Sequence, residues 1–292
     1  VTELAVIIVN RNGRDYLGPC LDSVRRASAG RDWETLVVDN ASEDGSPEAV
    51  AREHPEAKLV RSGANVGFGR ANNAAWRRTR TPFVLFLNPD TRIVDGAVDV
   101  LLRTMEEKEG AGACGPLLVR EDGSFQVSFG GRVGFFRELV QKTALNAWSR
   151  RRLGRLPRLR EADWVSGACL LVRREVLERL AGFDEDFFLY FEDIDLCLRM
   201  REAGWKVLFV PQARVVHLGG GATAAFGPSR YEYRRSQIRF YEKHCSALSR
   251  ALLKAYLRSS FALLGLRRRL KREGRPEGPS LAALLKKGGP GT

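Results

Sequence analysis

The chain has 292 residues, 44% of them hydrophobic and 28% charged, with a formal net charge of +13. That length and apolar content supply a substantial core and exclude a disordered or fibrous chain, while no apolar run approaches the ~20 residues that span a bilayer. The charge is uneven: residues 237–292 hold 13 Lys or Arg against 3 Glu, so most of the excess sits at the C-terminal end.

Five cysteines (Cys20, Cys114, Cys169, Cys197 and Cys245) are scattered without a C-x-x-C pair. This argues against a zinc site or a disulfide framework and favours a reducing cytoplasm. The first residues, Val1 to Val9, lack a positive leader and a small-residue cleavage site, so they read as a strand rather than a signal peptide.

Leu4–Val9 predicts a buried strand, followed by helical spacing at Leu17, Cys20, Leu21 and Val24. Glu34–Val38 predicts a second strand ending on Asp39, then a short helix from Pro47 to Glu53 and a third strand at Lys58–Arg61. Gly69–Thr79 reads as helix. The unbroken apolar run Phe83–Leu87 then predicts a strand buried on both faces, with a helix over 96–107 beyond it. Strand and helix alternate throughout this first part, the signature of an α/β fold whose mostly parallel sheet carries helices on both faces.

Further on, Ala113–Arg120 and Ser124–Val127 flank Glu121-Asp122-Gly123 and predict a hairpin. Residues 130–160 are rich in arginine and read either as a mobile basic loop or as a solvated surface. One strand is predicted over Ala162–Val172, a helix over Arg174–Leu180, another over Glu192–Ala203, and two strands at Trp205–Val210 and Ala213–His217. From Tyr231 the chain reads as amphipathic helix, and Gly- and Pro-rich sequence beyond Lys271 predicts a flexible tail.

Polar and acidic side chains fall where strands end: Asn10, Asp39, Asp90 and His217. Open α/β sheets bind ligands outside the carboxyl ends of their strands, so these residues are candidates for one site. Asp90 follows its strand through Asn88-Pro89, where proline cannot continue a ladder. The same residues are also good turn chemistry, and Asp90 equally suits a helix cap. Asn65-Val-Gly67 opens a helix and would let backbone approach a ligand. Glu192-Asp-Ile-Asp195 follows the aromatic run Phe187–Phe191, which would raise a carboxylate's basicity by burial; an acidic helix N-terminus explains it as well.

Taken together, Val6–Gly13, Leu36–Ser42, Asn65–Gly67 with Asn72, Leu87–Thr91, Trp164–Ala168, Gly182–Phe187, Tyr190–Arg199 and His217 resemble family 2 glycosyltransferases. The nearest branch is rhamnosyltransferase-like and galactofuranosyltransferase-like, and the resemblance covers roughly residues 3–225. It implies a GT-A fold and inverting transfer from a nucleotide sugar. By position it places Val9, Asn10, Arg11, Asp39, Asn65, Gly67, Asn72 and Asn88 along the nucleotide sugar. Asp90 and His217 fall at a divalent metal, Mg²⁺ or Mn²⁺; Asp193 is the catalytic base with Glu192 beside it. Trp164, Ser166 and Gly167 fall on the acceptor side.

Asn88 stands where many relatives have the first Asp of a D-x-D motif, which weakens the expected metal site, and Arg11 stands where many have Tyr. The implied organisation is a catalytic domain over 1–230, divided at 110 into a nucleotide half and an acceptor half. A basic helical extension over 231–273 and a tail over 274–292 complete it. The expected acceptor is a glycan or polyprenyl-linked glycan, with anionic membrane as a partner of the basic helix.

A nucleic-acid binder would interleave basic and aromatic residues on the folded domain, whereas here the excess charge lies near the end. A sugar nucleotidyltransferase would carry a basic Gly-rich loop after the first strand, which Asn10-Arg-Asn-Gly13 matches poorly. An inactive relative that only binds nucleotide sugar stays open at this level.

Overall fold

The computed structural model describes residues 2–136, 158–219 and 229–271. Much of the arginine-rich stretch, residues 220–228 and the predicted tail lie outside those residues.

The first half is a parallel α/β unit. Strand β1 (Leu4–Asn10) pairs in parallel with β2 (Trp33–Asp39) on one side and β4 (Phe83–Leu87) on the other, and β2 pairs with β3 (Lys58–Arg61). Between them run α1 (Arg14–Ala27), α2 (Ser46–Glu53) and α3 (Phe68–Trp76).

The two-sided burial predicted for β4 is observed. Phe83, Leu85 and Leu87 pack into the core under α1, while Val84 and Phe86 point into the core on the α3 side. Alternation along β1 is the same, with Leu4, Val6 and Ile8 on one face and Ile7 and Val9 on the other. Each fully buried aliphatic side chain of this kind contributes roughly 1.5–3 kcal/mol, so these strands fix the register of everything beside them.

The second half mixes strand directions. After β5 (Thr91–Ile93) and α4 (Ala97–Glu107) come β6 (Ala111–Val119), β7 (Phe125–Gln126) and β8 (Phe129–Gly130). Strands β9 (Arg160–Glu161), β10 (Trp164–Val165) and β11 (Cys169–Arg173) come next, then α5 (Arg174–Leu180), α6 (Glu192–Glu202) and β12 (Lys206–His217). The main sheet runs β3-β2-β1-β4-β11-β6-β12-β5, and β11 lies antiparallel to both β4 and β6.

Two predicted elements differ. The single strand expected over Ala162–Val172 is two, β10 and β11, broken at Ser166-Gly167-Ala168, where the backbone turns from a small sheet with β8 into the main sheet. Conversely, the two strands expected at 205–210 and 213–217 are one. Pro211 interrupts the apolar pattern, and the sheet absorbs it as a register shift between Val210 and Arg214 rather than a break.

The C-terminal helices α7 (Ser229–His244) and α8 (Ala247–Lys271) close a third core. Ile238, Phe240, Tyr241, Leu253 and Leu257 bury against Phe187, Phe191 and Leu198. No helix among the described residues is long and apolar enough to cross a membrane.

Candidate active site

The parallel pairing sets Asn10 directly beside Asp39, both at the carboxyl end of their strands, and Asn88 comes just after the end of β4 on the other side of β1. Asn10 is 1% exposed, and its amide nitrogen donates to Ser46 Oγ at 2.8 Å and Ser42 Oγ at 3.3 Å. The Ser42 backbone N–H donates in turn to both Asp39 carboxylate oxygens, at 3.3 and 3.4 Å. Val9 is buried behind this edge, and Arg11 begins the loop beyond it, partly exposed.

Asn40 organises the neighbouring loop. Its amide donates to Asn65 Oδ1 at 2.9 Å, and its Oδ1 accepts the Val66 N–H at 2.9 Å. Gly67 has φ +85, a backbone region open to glycine and strained for other residues. A Cβ there would also lie 2.6 Å from the Phe188 carbonyl oxygen, which accepts the Phe68 N–H at 2.8 Å. The glycine is therefore required by both conformation and contact. Asn72 lies one turn inside α3, 1% exposed, with its amide donating to the Phe68 carbonyl at 3.0 Å.

Asp90 is 4% exposed, and one of its carboxylate oxygens, Oδ1, has no hydrogen-bond partner. That oxygen faces His217 Nε2 at 3.3 Å, an approach close enough for an ion pair but not shaped as a hydrogen bond. His217 reaches it because β12 pairs antiparallel with β5, setting His217 opposite Thr91, and because the Leu218 N–H donates to the Asp90 carbonyl at 3.0 Å. The other ring nitrogen, Nδ1, lies 2.7 Å from Gln126 Oε1. With Nδ1–H donating to that oxygen, the Nε2 lone pair is turned toward Asp90. A carboxylate oxygen without a partner and an imidazole lone pair facing it are a donor pair suited to a divalent cation. Among the described residues no three acidic, His or Cys side chains gather into a closed metal cage.

Glu192 and Asp193 open α6 immediately after Tyr190 (φ 70) and Phe191 (φ 68). Consecutive left-handed residues that are not glycine cost roughly 1–3 kcal/mol each and set the direction in which the helix leaves them. Asp193 is partly exposed; its Oδ2 accepts the Gly167 N–H at 2.7 Å and its Oδ1 the Ile194 N–H at 2.8 Å. Burial pushes its carboxyl above the ordinary range, opposed by those backbone N–H groups. Glu192 is 6% exposed with Oε2 unpartnered, and burial, then the neighbouring Asp193 charge, pushes it well above its usual range.

These pieces share one rim. The Asn88 N–H donates to the Ala168 carbonyl at 2.9 Å, one residue from the Gly167 that holds Asp193. Ser166 lies in the same turn, its N–H donating to the Ser128 carbonyl at 2.8 Å. Trp164 is further off on β10, with its indole N–H on the Gly131 carbonyl at 3.1 Å. Sequence reasoning passed over Gln126, which no motif marks, and Asn40, whose place beside Asp39 at a strand end was a usable signal. It also gave no role to Asp195.

Asp195 is fully buried, accepting from Arg199 Nε at 2.7 Å, Lys243 Nζ at 2.6 Å and His244 Nε2 at 2.7 Å. Burial alone would raise its pKa, but the His244 hydrogen bond, the Arg199 charge and Lys243 outweigh it and hold it at about 2, below the ordinary 3.8. A depressed carboxyl contributes stability above pH 3.8 that is lost as the pH falls toward 2. Asp195→Asn is therefore expected to cost roughly 2 kcal/mol at neutral pH, the difference from wild type shrinking in acid; urea unfolding across pH checks it.

A parallel nucleotide-type half, a mixed second half and carboxylates along their shared rim define a GT-A-type glycosyltransferase. The glycosyl transferase family 2 model matches residues 5–181. The chain belongs to that family.

It is 33% identical over 279 residues to an N-acetylglucosaminyl-diphospho-decaprenol L-rhamnosyltransferase of Mycobacterium tuberculosis, covering 89% of this chain and 91% of the relative. It is 26% identical to the rhamnosyltransferase WbbL of Escherichia coli, over 73% of this chain and 82% of that one. Among solved structures, the mannosyltransferase PcManGT of Pyrobaculum calidifontis, in complex with GDP-Man and Mn²⁺, superposes with a TM-score of 0.57 at 22% identity. That match covers 82% of this chain, which spans 63% of the mannosyltransferase.

Proposed function

We propose that this glycosyltransferase transfers rhamnose, with inversion, from a nucleoside-diphosphate donor such as dTDP-rhamnose to a hydroxyl of a polyprenyl-diphosphate-linked glycan in surface-polysaccharide synthesis. The observation that carries the reading is Asp193, a partly exposed carboxylate of raised basicity fixed by Gly167 on the rim where the strands end. The mycobacterial and Escherichia coli relatives support the sugar, and the mycobacterial one the lipid-linked acceptor.

Inversion by single displacement needs one base to remove the acceptor hydroxyl proton as that oxygen attacks the anomeric carbon. Asp193 is the residue for this. Its two backbone hydrogen bonds orient it, and the turn at Ser166-Gly167, with Trp164 beyond, lies on the acceptor side. Asp39, Asn10 and Arg11 would receive the base and ribose; Asn65 and Gly67 would bring backbone close to the diphosphate, with Asn88 at the strand end beside them. Asn72 would act from inside α3 by holding the Phe68 carbonyl.

Asp90 and His217 fit a divalent cation, Mg²⁺ or Mn²⁺, by the unpartnered carboxylate oxygen and the imidazole turned toward it. Such an ion supplies positive charge for the departing nucleoside diphosphate, and diphosphate oxygens and water would complete its shell. Glu192, held toward its neutral form, keeps a second negative charge away from Asp193.

Thermal-shift titration with dTDP-, UDP- and GDP-sugars in the presence of Mn²⁺ tests the donor. Stabilisation rises with ligand over its dissociation constant, so dTDP-rhamnose should give the largest shift. A larger shift with a GDP- or UDP-sugar would replace the donor assigned here.

The cytoplasmic face of an anionic membrane is the setting this acceptor needs. On α8, Leu248, Tyr256 and Leu263 are 67%, 46% and 60% exposed and fall on a stripe separate from the buried Leu253 and Leu257. Arg258, exposed, and Lys254, which pairs with Glu242 at 3.2 Å, lie on another side of the helix, and each basic residue near anionic lipid contributes roughly 1 kcal/mol. Because α7 and part of α8 complete a core, the fair test replaces Leu248, Tyr256 and Leu263 by Ser rather than removing the helices. The triple variant should lose flotation with phosphatidylglycerol vesicles while wild type floats; equal flotation of the two would discard the membrane reading.

A further inference from the structure

The segment leading into Asp193 is gripped from outside the family-matched region, by α7. The Ser236 hydroxyl donates to the Leu189 carbonyl at 2.7 Å. Tyr233 packs its ring edge-on to Tyr190 at 5.6 Å and at 5.3 Å from Phe191, and Phe240 lies 5.2 Å from Phe191. Tyr190 and Phe191 both have left-handed backbone, so α7 covers a point where strain is stored. Arg239 pairs with Asp186, and Lys243 reaches Asp184 Oδ2 at 2.6 Å.

The last turn of α7 goes deeper. His244 Nε2 and Lys243 Nζ both bind Asp195 Oδ1, at 2.7 and 2.6 Å, and Asp195 has no solvent exposure. On its other side Asp195 Oδ2 takes Arg199 Nε at 2.7 Å, whose remaining nitrogens donate to the Leu180 carbonyl at 3.0 Å and the Gly182 carbonyl at 2.8 Å. Asp195 thus joins α7, the end of α5 and α6 at a single carboxylate. It sits two residues from Asp193, on the same rigid first turn of α6.

We infer that His244, acting through Asp195, is a positioning residue for the reaction: it fixes the height and rotation of α6 so that the Asp193 carboxylate meets the acceptor hydroxyl. This rests on the reading of Asp193 as the base. A hydrogen bond that served only to hold α7 down would affect stability and donor binding along with turnover. A bond that also sets the base lowers kcat of the folded enzyme beyond any loss of stability and leaves donor KM alone, because Asp39, Asn65 and the strand ends that flank the nucleotide belong to the other half of the sheet. Misplacing a catalytic group by ~1 Å costs up to about 100-fold.

The test compares His244→Phe, which keeps a ring against Phe240 but has no donor, with His244→Gln, whose amide nitrogen stands near the place of Nε2. Transfer is measured from dTDP-L-rhamnose to a synthetic N-acetylglucosaminyl-diphospho-lipid, with melting temperature and donor KM recorded alongside. His244→Phe is expected to lower kcat roughly 10- to 100-fold at unchanged donor KM, with His244→Gln recovering most of the loss. In an Asp193→Asn background His244→Phe should cost nothing further, since no base remains to be placed.

Wild-type kcat in His244→Phe, failure of Gln to rescue, or a further loss in the Asp193→Asn background each overturns the positioning role. If His244→Phe does not fold, Lys243→Met removes the second α7 donor to the same oxygen, and an unchanged kcat there overturns it too. Asp193→Asn with normal turnover would instead remove the base assignment itself. An inactive Asp193→Asn beside an undisturbed His244→Phe leaves that assignment standing and removes only the inference drawn from α7.

Discussion

Asp193→Asn is expected to lower kcat by roughly 10²–10⁴-fold while leaving donor affinity intact, the range a positioned general base contributes. The substitution keeps the size of the side chain, and its amide oxygen can still accept the Gly167 N–H, so the turn at Ser166–Ala168 should hold its shape. What is lost is the proton acceptor. Burial lifts the Asp193 carboxyl above the ordinary range, so the rate of the wild-type enzyme should fall as the pH drops through that elevated value and the base becomes protonated. The variant should not share that limb. Turnover near wild type in Asp193→Asn would mean that another group takes the proton, and the hold of Gly167 on Asp193 would lose its meaning.

Asp90→Ala should weaken nucleotide-sugar binding by roughly 10- to 100-fold when Mn²⁺ is present, corresponding to about 1.4–3 kcal/mol, and by much less in EDTA. The difference between the two conditions is the informative quantity. Removing a buried carboxylate also leaves His217 without its neighbour, so some loss of stability is expected in both. Isothermal titration with dTDP-rhamnose, with and without EDTA, separates them. Equal affinity of wild type and Asp90→Ala under both conditions would show that no cation is held there. His217→Ala should reproduce the metal-dependent part only, since its Nδ1 is occupied by Gln126 and its contribution to the cation comes through Nε2.

The parallel half was legible because its central strands, β1 and β4, are buried on both faces. An apolar run such as Phe83–Leu87 is too short for a buried helix and reads as a strand, and Leu4–Val9 repeats the pattern. The second half was less legible for a physical reason: its strands are set by register against neighbours far along the chain. Nothing local says that Ser166-Gly167-Ala168 turns a strand between two sheets, or that Pro211 is tolerated inside β12. The site divides along the same line. The candidates Asp39 and Asp90 are marked locally by their places at and just past strand ends, and Asp193 by its aromatic approach. Gln126 and His244 carry no local mark, since each acts on a partner that only the fold brings near, His217 at 2.7 Å and Asp195 at 2.7 Å. The hydrogen bond from Gly167 to Asp193 belongs to the same group, linking residues that are 26 positions apart.

The pairing of β5 with β12 has an implication for how the enzyme comes into being. Asp90 is laid down early, yet the strand that brings His217 to it is the last of the main sheet in sequence and lies between β6 and β5. On the assignment proposed above, a polypeptide emerging from the ribosome has the residues for the nucleotide long before it has those for the chemistry. Partial translation products would bind sugar nucleotide without spending it, and chemistry would switch on only when synthesis has passed the final strand.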